Sequence, residues 1–196
     1  MDSPKYCPCC GSVLSRKYEG GKYRPACPSS GCGYLHFTNV SVGCGGVVLH
    51  DQKVLLVQRG LDPGRGSWQI PGGYVEDDEE ISSAIEREIY EESGVYAKVE
   101  EVIGFRHSAN LSGQSPPNLY MIFRLAHASG APRFDGLETI NAGYFSLSEI
   151  EHKDNVQALS LWAIKLALAA KSSSGFTSQS NIFEARPGRT IFGVKI

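Results

Sequence analysis

Three glutamates in the middle of the chain are spaced so that a helix would carry them on one side. Glu88, Glu91 and Glu92 stand at positions i, i+3 and i+4, which are neighbours on a helix of 3.6 residues per turn. The same periodicity predicts one apolar face, formed by Ile81, Ala84, Ile85 and Ile89. Glu88 and Glu92 fall in the middle of that face and Glu91 at its edge, so all three carboxylates would point toward the packed side.

Unpaired charges on a packed face are very costly, so these carboxylates need a compensating partner. A hard cation such as Mg²⁺, which prefers oxygen ligands, is one solution. A raised carboxylate pKa is the other, and it is also common at working sites. The plainer alternative is an amphipathic helix with a solvated acidic face. It explains Glu79, Glu80 and Glu86, but not the two glutamates that stand among isoleucines.

A glycine-rich loop leads into this helix, and another glycine ends it. We expect Asp77 or Asp78 to cap the start, with Glu79 and Glu80 in the first turn, where negative charge suits the helix dipole. Gly94 suits the left-handed position that closes many helices.

Two further residues of this stretch could act on the carboxylates. The paired glycines at 72 and 73 let the backbone approach a bound metal, so the Gly73 carbonyl is an expected additional oxygen ligand. Arg87 stands one turn from Glu91 and two turns from Glu80, so we expect it to orient carboxylates without needing to touch substrate.

The stretch resembles the signature of the Nudix hydrolases. It reads Gly73, five residues, Glu79, seven residues, Arg87-Glu88-Ile89, one residue, Glu91-Glu92, one residue, Gly94-Val95, so all nine specified positions are filled. The resemblance implies hydrolysis of a nucleoside diphosphate linked to another group, with Mg²⁺ or Mn²⁺ held by Glu88, Glu91 and Glu92. It also implies that Glu79 has a structural role, bracing the loop against the helix.

Charged residues outside the helix could complete such a site. Arg59 follows an expected strand, and Arg65 lies in the 60–66 loop. Both could bind phosphate, because arginine contacts phosphate oxygens bidentately. For Arg59, a surface salt bridge is the alternative. Glu138, in the 127–142 loop, matches by position an acidic residue that assists metal binding or catalysis in some Nudix proteins. A helix glutamate or Glu138 would accept the proton of the attacking water; a solvated loop glutamate is the alternative. The candidate catalytic residues are Glu88, Glu91, Glu92, Arg87 and Glu138.

Four of the six cysteines form two closely spaced pairs near the N-terminus: Cys7, Cys10, Cys27 and Cys32. Four thiolates make the usual closed structural zinc site, and so short a segment needs metal to supply its folding energy. Cys9 could replace a neighbour as ligand, and His36 is an outside candidate. Free thiols or disulfides are the alternative. The expected zinc ribbon would act structurally, as a lid or a dimer contact, which leaves a homodimer open.

The composition is that of an ordinary soluble globular protein, with a formal net charge of −2. Such a balance gives no electrostatic support for a general nucleic-acid or membrane partner. Neither a membrane-spanning apolar run nor a secretory signal pattern is present, so we expect a cytoplasmic protein. An organellar protein shown without its transit peptide is the alternative.

The order of the expected elements is strands, the glutamate helix, more strands and a C-terminal helix. This order predicts an α/β fold with a mixed sheet between helices, which agrees with the α/β/α sandwich that the Nudix resemblance implies. Strands are expected at 40–49, 53–58, 95–105, 118–126 and 143–147, with a helical turn capped by Ser148 and a helix at 156–170. We divide the chain into a zinc ribbon (1–37), a Nudix domain (38–171) and a serine-rich linker with a C-terminal tail (172–196), in which 190–194 could form a strand.

Substrate choice is expected to depend on the loops at 107–118 and 127–142. Nudix proteins that resemble this chain in carrying a zinc ribbon include NADH, ADP-ribose and FAD pyrophosphatases. The NADH enzymes carry Ser-Gln-Pro-Trp-Pro-Phe, whereas this chain has Ser112-Gly-Gln-Ser-Pro-Pro-Asn118. The resemblance therefore favours ADP-ribose or FAD as the nucleotide substrate. An NADH or dinucleotide pyrophosphatase and a non-catalytic nucleotide-sensing regulator are the alternatives.

Overall fold

The structure is a computed structural model that describes residues 4–37, 39–111, 116–169, 176–178 and 189–194. Its strands are β1 (Ser15–Glu19), β2 (Lys22–Ala26), β3 (Ser41–His50), β4 (Lys53–Arg59), β5 (Trp68–Gln69), β6 (Gly72–Tyr74), β7 (Tyr96–Ser108), β8 (Asn118–Ser129), β9 (Thr139–Phe145), β10 (Phe176–Ser178) and β11 (Arg189–Val194). Its helices are α1 (Ile81–Ser93), α2 (Leu147–Glu151) and α3 (Ala158–Ala169).

The strands of the larger sheet follow the order β10-β11-β7-β8-β3-β4-β5, while β6 pairs with β3 and β9 with β4. The central pair, β3 and β8, is parallel, and its neighbours β4 and β7 run antiparallel to it. The expected mixed sheet is therefore confirmed.

Alternating residues of the central strands contribute to two separate hydrophobic cores, because successive side chains of a strand point to opposite faces of the sheet. On one face, Cys44 and Val48 of β3 pack with Ile85 and Ile89 of α1. On the other face, Val47 packs against α3 through a second cluster that includes Trp162, Ile164 and Leu166. The sheet thus lies between helices, and the expected α/β/α architecture is confirmed. Cys44 is fully buried, and this burial raises the pKa of its thiol to about 12.

The helix α1 begins later than the sequence indicates. Glu80, in extended conformation at the N-cap, makes no side-chain capping bond, so the expected cap by Asp77 or Asp78 is wrong. Glu79 and Glu80 precede the helix because the Glu79 carboxylate is engaged by the Glu76 amide and by Arg87. The end agrees with expectation: Gly94 has φ 66° and its amide donates to the carbonyl of Tyr90.

Other boundaries also differ from expectation. His107 lies in β7 instead of a loop, and β9 begins at Thr139. The cap of α2 is Ser146, not Ser148, because its hydroxyl accepts from the Glu149 amide while the Glu149 carboxylate accepts from the Ser146 amide. Residues 112–115 of the expected recognition loop and the serine-rich stretch at 172–175 lie outside the described residues.

The ends of the described chain form two β-structures. In the cysteine-rich segment, β1 and β2 make an antiparallel hairpin between the two cysteine pairs. Near the C-terminus, β11 pairs with β7 along Ser108 to Gly104, so the expected strand at 190–194 extends the edge of the large sheet. Among the described residues, no helix is long and apolar enough to cross a membrane.

Candidate active site

The short strand β6 brings backbone atoms directly against two glutamates of α1. Its pairing with β3 places Gly73 so close to Glu88 that an added Cβ would lie 2.5 Å from the carboxyl carbon. The neighbouring Gly72 amide donates to Oε2 of Glu92 at 2.9 Å. A side chain at Gly73 would displace the carboxylate, which explains why the stretch before α1 is rich in glycine.

Arg87 links the loop before α1 to the helix. Its Nε and Nη2 atoms donate to the two oxygens of Glu79 at 3.0 and 2.6 Å. Its Nη1 donates to Glu88 at 3.0 Å and to Glu91 at 2.9 Å. Hydrogen bonding by Arg87 lowers the pKa of Glu79 to about 2, so this carboxylate stays charged. Arg87 therefore orients carboxylates as expected, but its distant partner is Glu79 and not Glu80.

Glu92 and Glu88 are the two acidic groups set into the packed face of α1. Glu92 is only 9% exposed, and its burial raises its pKa to about 8 despite the bond from the Gly72 amide. Burial also raises the pKa of Glu88, with Arg87 acting in the opposite direction. Two neighbouring carboxylates that are costly to ionise fit a site that takes up a divalent cation.

Glu91 is placed differently from the other two. Its side chain is 56% exposed and is held by Arg87. In the described part of the chain, a single group of three or more metal-binding side chains has all its ligand atoms within 4.8 Å of one another. This group consists of four cysteines and contains no glutamate. The three glutamates are thus not drawn together to this degree. We call buried Glu92 and half-buried Glu88 the glutamate pair. Ligation by Glu91 and by the Gly73 carbonyl stays a prediction.

Two charged residues from outside α1 act on the glutamate pair: Glu138, from the turn before β9, and Arg59, at the end of β4. The charge of Glu138 helps to raise the pKa of both Glu88 and Glu92, and Arg59 acts against the rise at Glu92. Arg59 is partly fixed, because its Nε donates to the Pro63 carbonyl at 3.1 Å. The structure therefore brings Glu138 and Arg59 to the same site as the helix glutamates. Arg65 is exposed on the 60–66 loop, and its phosphate contact stays a prediction.

Two residues of this region escaped the sequence reasoning. Asp135 accepts hydrogen bonds from the amides of Leu137, Glu138 and Thr139, and buried Thr139 reaches the backbone of Glu92. The Asp-Gly dipeptide at 135–136 was a usable turn signal. The contact from Thr139 to the helix had no signal in the sequence.

The four paired cysteines form a second candidate metal centre. The Sγ atoms of Cys7 and Cys32 are 3.6 Å apart, and those of Cys10 and Cys27 are 3.4 Å apart. A tetrahedral zinc ion with Zn–S bonds of about 2.3 Å would hold its sulfurs about 3.8 Å apart, so this cluster fits one ion. Cys9 is exposed and lies outside the group of four.

Comparison with known proteins agrees with the motif and the sheet. The sequence pattern of the NUDIX domain family matches residues 40–163. This range is more than half of the chain and includes α1 with all three glutamates. The chain belongs to the NUDIX domain family. The resemblance drawn from the glycine, arginine and glutamate spacing is thereby confirmed.

Among the relatives of this Nudix chain, Nudix hydrolase 8 of Arabidopsis thaliana is 37% identical over 111 residues, which are 55% of this chain and 30% of that protein. The ADP-ribose pyrophosphatase of Methanocaldococcus jannaschii is 39% identical over 71 residues, which are 36% of this chain and 40% of that protein. The matches therefore span less than half the length of either relative.

A solved structure covers more of the molecule. The NUDIX hydrolase from Nitrosomonas europaea is 26% identical, with a TM-score of 0.63 over 83% of this chain and 89% of that one. The match thus extends over most of both chains.

Proposed function

We propose that this Nudix domain hydrolyses the pyrophosphate bond of a nucleoside diphosphate linked to another moiety, of the ADP-ribose or FAD type, with Mg²⁺ or Mn²⁺. The observation that carries this proposal is the glutamate pair, buried Glu92 and half-buried Glu88, whose pKa values are raised and which lies against the backbone of Gly72 and Gly73. All glutamates of the family signature are present, which argues against a regulator that binds nucleotide without turnover.

We assign the residues of α1 two different roles, metal binding and the orientation of carboxylates. Glu88 and Glu92, with Glu91, would hold Mg²⁺ or Mn²⁺, which when bound would neutralise diphosphate charge and activate water. Arg87 holds Glu79, Glu88 and Glu91 in fixed orientations.

Outside the helix, Glu138 would accept the proton of the attacking water, because its carboxylate is near enough for its charge to act on both members of the glutamate pair. Arg59 and Arg65 would contact phosphate oxygens.

The substrate class has weaker support than the reaction. One relative is named as an ADP-ribose pyrophosphatase, and the sequence at 112–118 lacks the aromatic residues that the NADH enzymes carry. We therefore favour ADP-ribose or FAD over NADH and other dinucleotides.

For the N-terminal segment we propose structural Zn²⁺ bound by Cys7, Cys10, Cys27 and Cys32. The support is the packing of four sulfurs within 4.8 Å of one another. We also propose the division of the chain into a zinc ribbon (1–37), a Nudix domain (38–171) and a tail (172–196). A homodimer and a cytoplasmic location also stay predictions.

A panel of substrates tests the function directly. The purified protein is incubated with Mg²⁺ and ADP-ribose, FAD, NADH, diadenosine polyphosphates or nucleoside triphosphates. Glu92→Gln replaces the buried carboxyl group, which could become an anionic metal ligand, by a neutral amide. Glu80→Gln is the matched control, because Glu80 precedes the same helix without making a side-chain cap. We expect turnover of ADP-ribose or FAD by the wild type and the control, but not by Glu92→Gln. Absence of turnover for every compound, or equal turnover by Glu92→Gln, would overturn the proposal.

A further inference from the structure

A turn of five residues, Asp135–Thr139, carries Glu138 to the active site. The side chain of Asp135 organises this turn through hydrogen bonds to its backbone. Its Oδ1 accepts from the amides of Leu137 and Thr139 at 2.9 Å each, and its Oδ2 accepts from the Glu138 amide at 3.2 Å. A single carboxylate thus fixes three consecutive peptide groups, including that of Glu138.

Thr139 connects the same turn to α1. Its side chain is buried, with 1% of the residue exposed. The hydroxyl lies 3.0 Å from the carbonyl oxygen of Glu92 and 3.2 Å from Oδ1 of Asp135. The hydroxyl has one hydrogen to donate and both acceptors lie within reach. Its contact with the Glu92 carbonyl links the turn to the backbone of α1 at one member of the glutamate pair.

The opposite side of the turn rests on the end of β4. The Gly60 amide donates to the Glu138 carbonyl at 2.7 Å. A Cβ at Gly60 would collide with the Leu137 carbonyl, so glycine permits this close approach. The peptide groups on both sides of the Glu138 Cα are therefore held, while its side chain is exposed and its charge acts on Glu88 and Glu92.

We propose that Asp135 and Thr139 are positioning residues, which fix the Glu138 carboxylate relative to Glu92 so that Glu138 accepts the proton of the attacking water. Neither residue needs to touch the substrate. This inference rests on the proposed hydrolysis, in which Glu138 is the proton acceptor, and adds the residues that hold Glu138 in place. A base must lie within hydrogen-bond reach of the proton that it takes, so a turn that moves freely would lose most of its effect.

Matched variants separate positioning from folding. Thr139→Val keeps the shape of the side chain but removes the hydroxyl, and Thr139→Ser keeps the hydroxyl. Asp135→Ala releases the three amides. Each is made in the wild type and in Glu138→Gln, and kcat and KM are measured with the best substrate of the panel. Urea unfolding gives the folded fraction, and hydrogen exchange reports opening of the Glu138 amide.

The expected pattern is specific to positioning. Glu138→Gln lowers kcat about 100-fold, the size typical of a lost general base. Thr139→Val and Asp135→Ala each lower kcat about tenfold per folded molecule and leave KM within about twofold, because the turn acts on the reaction step. Thr139→Ser stays within about twofold of the wild type. In Glu138→Gln, neither Thr139→Val nor Asp135→Ala lowers kcat further, since the group that they position is gone.

Several outcomes overturn the inference. If the losses multiply in the double variants, the turn supports the helix and not Glu138. If Thr139→Ser is as impaired as Thr139→Val, the hydroxyl does not matter. If the wild type hydrolyses a compound of the panel and Glu138→Gln hydrolyses it equally fast, the inference fails but the proposed hydrolysis stands. If the wild type hydrolyses nothing in the panel, both fail.

Discussion

Replacement of Gly73 by alanine tests how closely the backbone approaches Glu88. The added Cβ would lie 2.5 Å from Cδ and Oε2 of Glu88 and 2.6 Å from Oε1, whereas ordinary contact begins at 3.4 Å. The carboxylate would therefore have to withdraw by about 0.9 Å, the difference between 3.4 and 2.5 Å. The colliding atoms end a flexible side chain, so we expect a loss of only about 1 kcal/mol in the free energy of unfolding.

The effect on catalysis should be much larger than the effect on folding. A misplacement of about 1 Å at a reacting centre can reduce the rate about 100-fold. We expect kcat of Gly73→Ala to fall by that order, measured with Mg²⁺ at saturating substrate and corrected for the folded fraction from urea unfolding. Gly143→Ala is the matched control, because its Cβ would only touch the ring of Phe145 at 3.3 Å. If Gly73→Ala retains activity within about threefold of Gly143→Ala, the close approach of Gly73 to Glu88 does not matter for the reaction.

Three further predictions concern charge and metal. Arg87→Lys should lower kcat at least tenfold, because lysine cannot span Glu79, Glu88 and Glu91 with one planar fork; wild-type kinetics in this variant would contradict the role given to Arg87. Cys27→Ser should abolish stoichiometric zinc, read by elemental analysis, and a wild-type protein that folds without zinc would contradict the site. Burial works against ionisation of Asp135, but the bonds from the Thr139, Leu137 and Glu138 amides prevail and lower its pKa. Its stabilising contribution is therefore complete above the unfolded pKa of about 3.9 and is lost as the pH falls through the lower folded pKa. The unfolding free energy of Asp135→Asn should accordingly depend less steeply on acid pH than that of the wild type.

The sequence predicts those parts of the site that depend on local periodicity. The spacing of Glu88, Glu91 and Glu92 is a property of one helix, and so are the apolar face and the stop at Gly94. The start of α1 was misplaced because the competing interaction, from Arg87 to Glu79, crosses from the helix to a loop whose path local propensity does not define.

The turn that holds Glu138 shows the same limit more strongly. Thr139 meets the Glu92 carbonyl across 47 positions of sequence, and Gly60 meets the Glu138 carbonyl only because β4 and β9 pair. Such contacts follow from the assembled sheet, so single-residue preferences carry no information about them. The sequence placed Glu138 in a loop, and the sheet determines where that loop points.

The central claim is that the glutamate pair of α1, Glu88 and Glu92, binds a divalent cation. The most direct test is a titration of Mn²⁺ followed by electron paramagnetic resonance, which needs no substrate. The wild type and Glu80→Gln should bind Mn²⁺ with the same affinity, and Glu92→Gln should bind at least tenfold more weakly, since a buried ligand charge is lost. Equal Mn²⁺ affinity in all three proteins would contradict the claim.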